Sequence, residues 1–164
     1  MATLYFDNLH KQLYAVEGSH ESTPSLNSDI VTFGLSDLVE LPGQSTWYIR
    51  SILFKVTGYA ELGVSPDTTI RFNGGIVSRD IAAVHYPNID DYQDVAGWPL
   101  KGVYTEMQVQ NTAQANSFSF QKLYKPSKNL TLNREQNIHA TIQCENGNDL
   151  VSRIMIYVHA ERGD

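Results

Sequence analysis

The sequence is poor in cysteine, in basic residues, in helical periodicity and in long apolar runs. One cysteine, Cys144, stands among 164 residues, so no internal disulfide can form. Lys and Arg number 12 against 18 Asp and Glu, for a formal net charge of −6. No cluster of Lys or Arg occurs, and the opening stretch MATLYFDNLHKQLYAVEG holds a single Lys and no Arg. Nucleic-acid binding draws on clustered cations that displace counterions from phosphates, so direct nucleic-acid binding is not expected. No apolar run approaches the roughly 18 residues needed to span a bilayer. The N-terminus lacks the charged-then-apolar pattern of a secretory signal, and synthesis in the cytosol is the expectation.

Catalytic signatures are missing in the same way. No G-x-S-x-G elbow is present. Cys144 alternates inward with Ile142 and should be inert. No Gly-rich phosphate loop leads into a helix, because no segment passes a test for helical period. The histidines, His10, His20, His85, His139 and His159, show no zinc-site spacing. Scattered Asp and Glu leave a glycosidase carboxylate pair open without singling one out. An enzyme is not expected, and neither is a cofactor. The closing tripeptide Arg162-Gly163-Asp164 matches an integrin-binding motif, but it follows a strand directly and is read as chance.

What is present is a period of two. In IHATIQCE, Ile138, Ala140, Ile142 and Cys144 share one face, and His139, Thr141, Gln143 and Glu145 the other. In RIMIYVHAE, Ile154, Ile156, Val158 and Ala160 oppose Arg153, Met155, Tyr157, His159 and Glu161. The intervening ENGND carries an Asn-Gly hairpin signal, so these two strands are expected to pair, with His139 and His159 near one another on the outside. Such a histidine pair would be a charge switch to watch as pH changes. WYIRSILFKVTGYAEL puts Ile52, Phe54, Val56 and Ala60 together, with Gly58 marking a bulge or bend. In TTIRFNGGIVSR, Ile70 and Phe72 point inward, and Asn73-Gly74-Gly75 reads as a turn or bulge. VYTEMQVQ, SFSFQKLY and LTLN follow, and TLYFDNLHKQLYAV with IVTFGLS add one or two strands at the front. About eight strands with turn residues between them predict an all-β, antiparallel sandwich or barrel, as one domain over residues 1–164.

Two connections are long. GSHESTPSLNSD is polar and Ser-rich. The other runs from Asp80 to Lys101 and contains HYPNIDDYQDVAGWPLKG, acidic, aromatic and stiffened by prolines. Loops of this length in a compact domain are often functional or interface-forming. Its candidate interface or ligand residues are Tyr86, Pro87, Asp90, Asp91, Tyr92, Asp94, Trp98 and Pro99. The carboxylates, with His85 nearby, offer oxygen ligands, but without EF-hand spacing a structural Ca²⁺ is not expected and no metal site is assigned. The aromatics, with Tyr104 just beyond, make either a sugar-stacking platform or protein-interface anchors. A plainer reading folds them back as a lid, with Trp98-Pro99-Leu100 as a plug over an open end of the barrel.

The strand series from Ile30 to Ala160, with its long central connection from Asp80 to Lys101, resembles an eight-stranded jelly-roll viral structural protein. Jelly rolls that enclose naked genomes usually carry a basic N-terminal arm, and this chain has none. It looks more like the single jelly-roll capsid proteins of icosahedral bacteriophages and archaeal viruses with an internal membrane, and its ordinary charge content fits a bacteriophage better than a haloarchaeal virus. The resemblance implies a virion location and a capsid or spike role. It also implies self-association, a second capsid protein as partner, and proximity to a viral membrane. In that reading the Asp80–Lys101 loop locks neighbouring copies, and the N-terminal strand and Ser-rich connector are natural parts to exchange. The alternative is a lectin-like module or host-binding spike domain whose partners are glycans, held by Tyr86, Tyr92 and Trp98.

Overall fold

A computed structural model describes residues 3–7, 9–19, 28–34, 46–60, 67–81, 89–95, 97–110, 117–144 and 150–163. Among the described residues, eleven strands and one short helix follow in chain order. They are β1 (Thr3–Asp7), β2 (Gln12–Gly18), β3 (Ser28–Gly34), β4 (Trp47–Ala60), β5 (Asp67–Ser78), α1 (Ile89–Asp94) and β6 (Trp98–Pro99). Then come β7 (Thr105–Gln110), β8 (Ser117–Tyr124), β9 (Leu130–Leu132), β10 (Gln136–Cys144) and β11 (Leu150–Arg162). One sheet runs β1-β2-β11-β4-β8, with β9 also on β4. The other runs β3-β10-β5-β6, with β7 also on β5.

The pairings are nested. β2 pairs with β11, β3 with β10, β4 with β8 and β5 with β7, all antiparallel. A long hairpin rolled up so that its first strand meets its last in this order is a jelly roll, two Greek keys in two facing sheets. The expected fold class, all-β and antiparallel with eight principal strands, is therefore the observed one. β1, β6 and β9 are short additions to it.

The period-two reading of the inner faces holds. Ile52, Phe54 and Val56 of β4, Ile70 and Phe72 of β5, Ile138 and Ile142 of β10, and Ile154 and Ile156 of β11 are all buried in one core. Phe72 joins the sheets, with Phe54 and Phe120 packed edge-on at 5.7 and 5.4 Å. The fully buried rings of Phe54 and Phe72 contribute about 1.5–3 kcal/mol each from desolvation alone. Asp29 on β3 adds a polar tie between the sheets. Its carboxylate accepts from the Ser19 hydroxyl at 2.9 Å and the Ser152 hydroxyl at 3.2 Å. Burial pushes the Asp29 carboxyl above its ordinary range.

Four sequence expectations are corrected. The strands on either side of ENGND do not pair. β10 lies between β3 and β5, and β11 between β2 and β4, in the other sheet. The turn signal is local, whereas each strand finds longer and better apolar complements far away in sequence. Gly58 is no bulge, since β4 pairs with β8 and β11 in step through it. A Cβ there would lie 2.4 Å from the Val151 carbonyl oxygen, so Gly58 marks close strand approach. The register shift sits instead between His159 and Ala160 against β4. Asn73-Gly74-Gly75 runs straight through β5. Finally, a helix exists. α1 is too short to show a helical period, and Asp90 and Asp91 in its first turn complement its amide dipoles.

Candidate functional site

The described part of the Asp80–Lys101 connection forms a strap: α1 lies across the outer face of the second sheet and β6 runs along its edge. Its anchor is Tyr92, which is 0% exposed. The Tyr92 hydroxyl donates to the His139 carbonyl oxygen at 3.2 Å and lies 3.3 Å from the His139 Nδ1, with the two rings edge-on. Gly75 makes room for it: a Cβ at Gly75 would fall 2.5 Å from the Tyr92 ring. Val77 of β5, Ile81 and Val95 complete a small second core around Tyr92. The Gly97 amide donates to the Tyr92 carbonyl at 2.8 Å, which turns the chain into β6. β6 then pairs with Gly75 and Ile76 of β5 as an edge strand. Leu100 and Val103 enter the main core behind it.

This arrangement sorts the predicted residues. Tyr86 and Pro87, with His85, lie outside the described residues. Tyr92 is corrected from an interface or sugar-stacking residue to a structural anchor, because its ring and hydroxyl are both occupied within the chain. Asp90 and Asp94 are exposed on α1, and Asp91 is half-buried. Trp98 is 39% exposed on β6, and Pro99 beside it is half-buried. The lid reading thus describes Tyr92, although it covers a sheet face rather than a barrel end, and Leu100 belongs to the main core. Tyr104 is tied into a separate polar group, donating to Glu106, which also accepts from Arg71 at 3.3 Å. These bonds, the Tyr104 hydroxyl first, hold the Glu106 carboxyl below its usual range. Among the described residues no three His, Cys, Asp or Glu side chains gather as a metal site.

The expected histidine pair does not form. His139 is buried under the strap at 2% exposure, in the second sheet. His159 lies in the first sheet, stacked flat on Tyr14 at 4.5 Å, with its Nε2 2.7 Å from the Gln12 Oε1. Burial, and then the Arg50 charge, hold the His159 imidazole below its usual range.

The surface that sequence reasoning missed surrounds His159. The outer face of the first sheet forms an open hollow of about 430 Å³, lined mainly by apolar and aromatic side chains from β1, β2, β4, β8 and β11. Tyr5, Tyr14 and Leu123 are exposed there, Leu123 to 58%. Tyr157 and Leu53 are half-buried between them. At its rim, Arg50 donates two bonds to the Glu161 carboxylate at 3.0 and 2.8 Å. The signal was present in each strand as one outward apolar residue. Only the register aligns those residues into a surface.

No family model matches the chain, and no curated protein matches it. Among solved structures, it is similar to the virus-like particle of the extra small virus of the giant freshwater prawn Macrobrachium rosenbergii. There the identity is 12% and the TM-score 0.38, over 93% of this chain and 80% of that one. It is also similar to the decameric BFDV capsid protein, with 13% identity and a TM-score of 0.42 over the whole of both chains. A third similarity, to dimeric latent PorU from Porphyromonas gingivalis, has 11% identity and a TM-score of 0.34 over 98% of this chain and 12% of that one. The fold assignment rests on the nested strand pairing of this chain itself.

Proposed function

We propose that the chain is a virus structural protein, a capsid component of the virion that assembles with copies of itself and with a second capsid protein into an icosahedral shell. One observation carries this reading: a jelly-roll wall turns a broad apolar and aromatic sheet face outward. An exposed apolar patch rimmed by polar and charged residues is a common form of association surface. The excess of acidic over basic residues supports a shell that does not hold the genome directly, as in bacteriophages with an internal membrane. Asp90, Asp94 and Trp98 on the strap are available for a second set of contacts, with basic groups of a neighbour facing the aspartates. The lectin reading is weaker, because Tyr92 is buried and leaves Trp98 as the one exposed aromatic of its set among the described residues.

The test is the mass of the purified protein by light scattering after size exclusion, across a wide concentration range. Concentration-dependent assembly supports the reading. A strict monomer at every concentration, with binding on a glycan array, replaces it with the lectin.

A further inference from the structure

The register of the first sheet draws one line across five strands. Thr3 stands opposite Val16, Val16 opposite Tyr157, Tyr157 opposite Leu53, and Leu53 opposite Leu123. This line runs from one edge of the sheet to the other with Tyr157 at its middle. The next outward line on one side is Tyr5, Tyr14, His159 and Ser51. Together they form the floor of the apolar hollow.

The charges flanking this band differ: one side carries Arg153 and Lys55, and on the other the Asp7 and Glu161 carboxylates lie against His10 and Arg50. On β11, Arg153 stands four residues to one side of Tyr157, and Glu161 four residues to the other. Arg153 is exposed and makes no ion pair among the described residues. Lys55, exposed on β4, lies on the Arg153 side. Asp7, aligned with Glu161 through Gln12, lies on the other. Glu161 keeps 40% of its side chain exposed while bonded to Arg50.

We propose that this face is a homodimer interface: two copies pack sheet on sheet about a two-fold axis along the Tyr157 line, with Arg153 of each copy over Glu161 of the other. The inference rests on the reading of the chain as self-assembling and names the surface that does it. An axis along the line lays apolar band on apolar band and exchanges the flanks, so unlike charges meet. An axis parallel to the strands would set Arg153 over Arg153. An anionic lipid surface would engage the Arg153 and Lys55 flank alone, because on the other flank Arg50 is already held by Glu161. A second copy supplies both signs in reversed order, as an isologous contact requires. The size fits a weak, repeated contact. β1 and β8 each reach along only about half of the Arg153–Glu161 span, so the three central strands, at about 4.8 Å spacing and about 3.3 Å per residue, give about 400 Å² per copy. The pair buries about 800 Å², the size of a weak association that is concentration-dependent rather than permanent.

The experiment is sedimentation velocity on full-length wild type, on Arg153→Glu, on Glu161→Arg, and on an equimolar mixture of the two variants, each checked for folding by circular dichroism. The wild type is expected to dimerise. Each variant alone places like charges together twice and should dimerise about tenfold more weakly or worse. The mixture should recover wild-type dimerisation, because a heterodimer of the two variants restores both unlike pairs. Leu123→Asp, at an exposed position, should also abolish the dimer. A wild type that associates while all variants match it overturns this interface and leaves self-assembly to another surface. Weakened variants whose mixture stays weak overturn the two-fold geometry. A wild type that is monomeric throughout overturns the self-assembly reading itself. Flotation of that monomer with phosphatidylserine vesicles, lost in Arg153→Glu, would reassign the face to a lipid surface.

Discussion

The two sheets are built from the same alternating strands, yet they present opposite outer faces. On the second sheet the outward residues His139 and Thr141 are nearly as inaccessible as the core, at 2% and 1% exposure. The chain covers part of that face itself, with α1 held down by Tyr92. On the first sheet the outward residues include Tyr14, Leu53, Leu123 and Tyr157, and they line an open hollow. A face closed within the chain contributes to the stability of the single molecule. A face left open contributes only when a second molecule arrives. Mutations on the two faces should therefore separate folding from association.

The largest expected effect is on the covered face. Tyr92→Ala removes a fully buried ring and should cost about 3–5 kcal/mol in urea unfolding of the monomer. An unfolding free energy within about 0.5 kcal/mol of wild type would break the comparison, because the strap would then not depend on its anchor. Next is Gly75→Ala, whose added methyl meets the Tyr92 ring and also the Trp98 carbonyl oxygen at 2.9 Å. Overpacking of this kind should cost about 1–3 kcal/mol by the same measurement. Tyr92→Phe keeps the ring and loses the hydroxyl bond to His139, for about 1 kcal/mol.

Smaller effects belong to the open face. His159 has its imidazole pK lowered in the fold by burial and by Arg50, partly opposed by Glu161, while Tyr14 and Gln12 hold the ring. A lowered value means that the stabilisation is present above the ordinary imidazole range and is lost as pH falls through the folded value. Thermal melts from pH 7.5 to 5 should show a larger loss for wild type than for His159→Gln, and equal losses would remove His159 as the cause. Leu123→Ser should change monomer unfolding by no more than about 0.5 kcal/mol, the usual range for surface positions. A larger loss in a dilute monomer would mean that the open face is already satisfied within one chain.

The inner faces of β4, β5, β10 and β11 were legible because burial on one side of a strand writes a period of two into the sequence. The pairing was not. Asn146-Gly147 has the composition of a hairpin turn, but the strands on either side of it belong to different sheets, and composition does not specify a partner that far away. The strap was misread for a related reason. Tyr92 looked like a free aromatic in an acidic loop, and its seat is Gly75, a residue that shows no apolar signal at all. The open face was invisible for a third reason. Leu53, Leu123 and Tyr157 are single apolar residues in three separate strands, and their alignment exists only in the register.

The nested pairing also sets an order of events during synthesis. The Gln12 side chain on β2 meets His159 on β11 across 147 residues of sequence. β11 sits in the middle of its sheet, between β2 and β4. Until it leaves the ribosome, those two strands have no shared neighbour, and the edges that will face it stay open. Folding of the first sheet is therefore held back until translation has passed β11, and it then proceeds at the slow pace of distant strand pairing. On a polysome making many copies at once, waiting strands of one nascent chain stand close to the completed β11 of another. A jelly roll of this topology is thus exposed to strand exchange between neighbours before it is ever a free monomer.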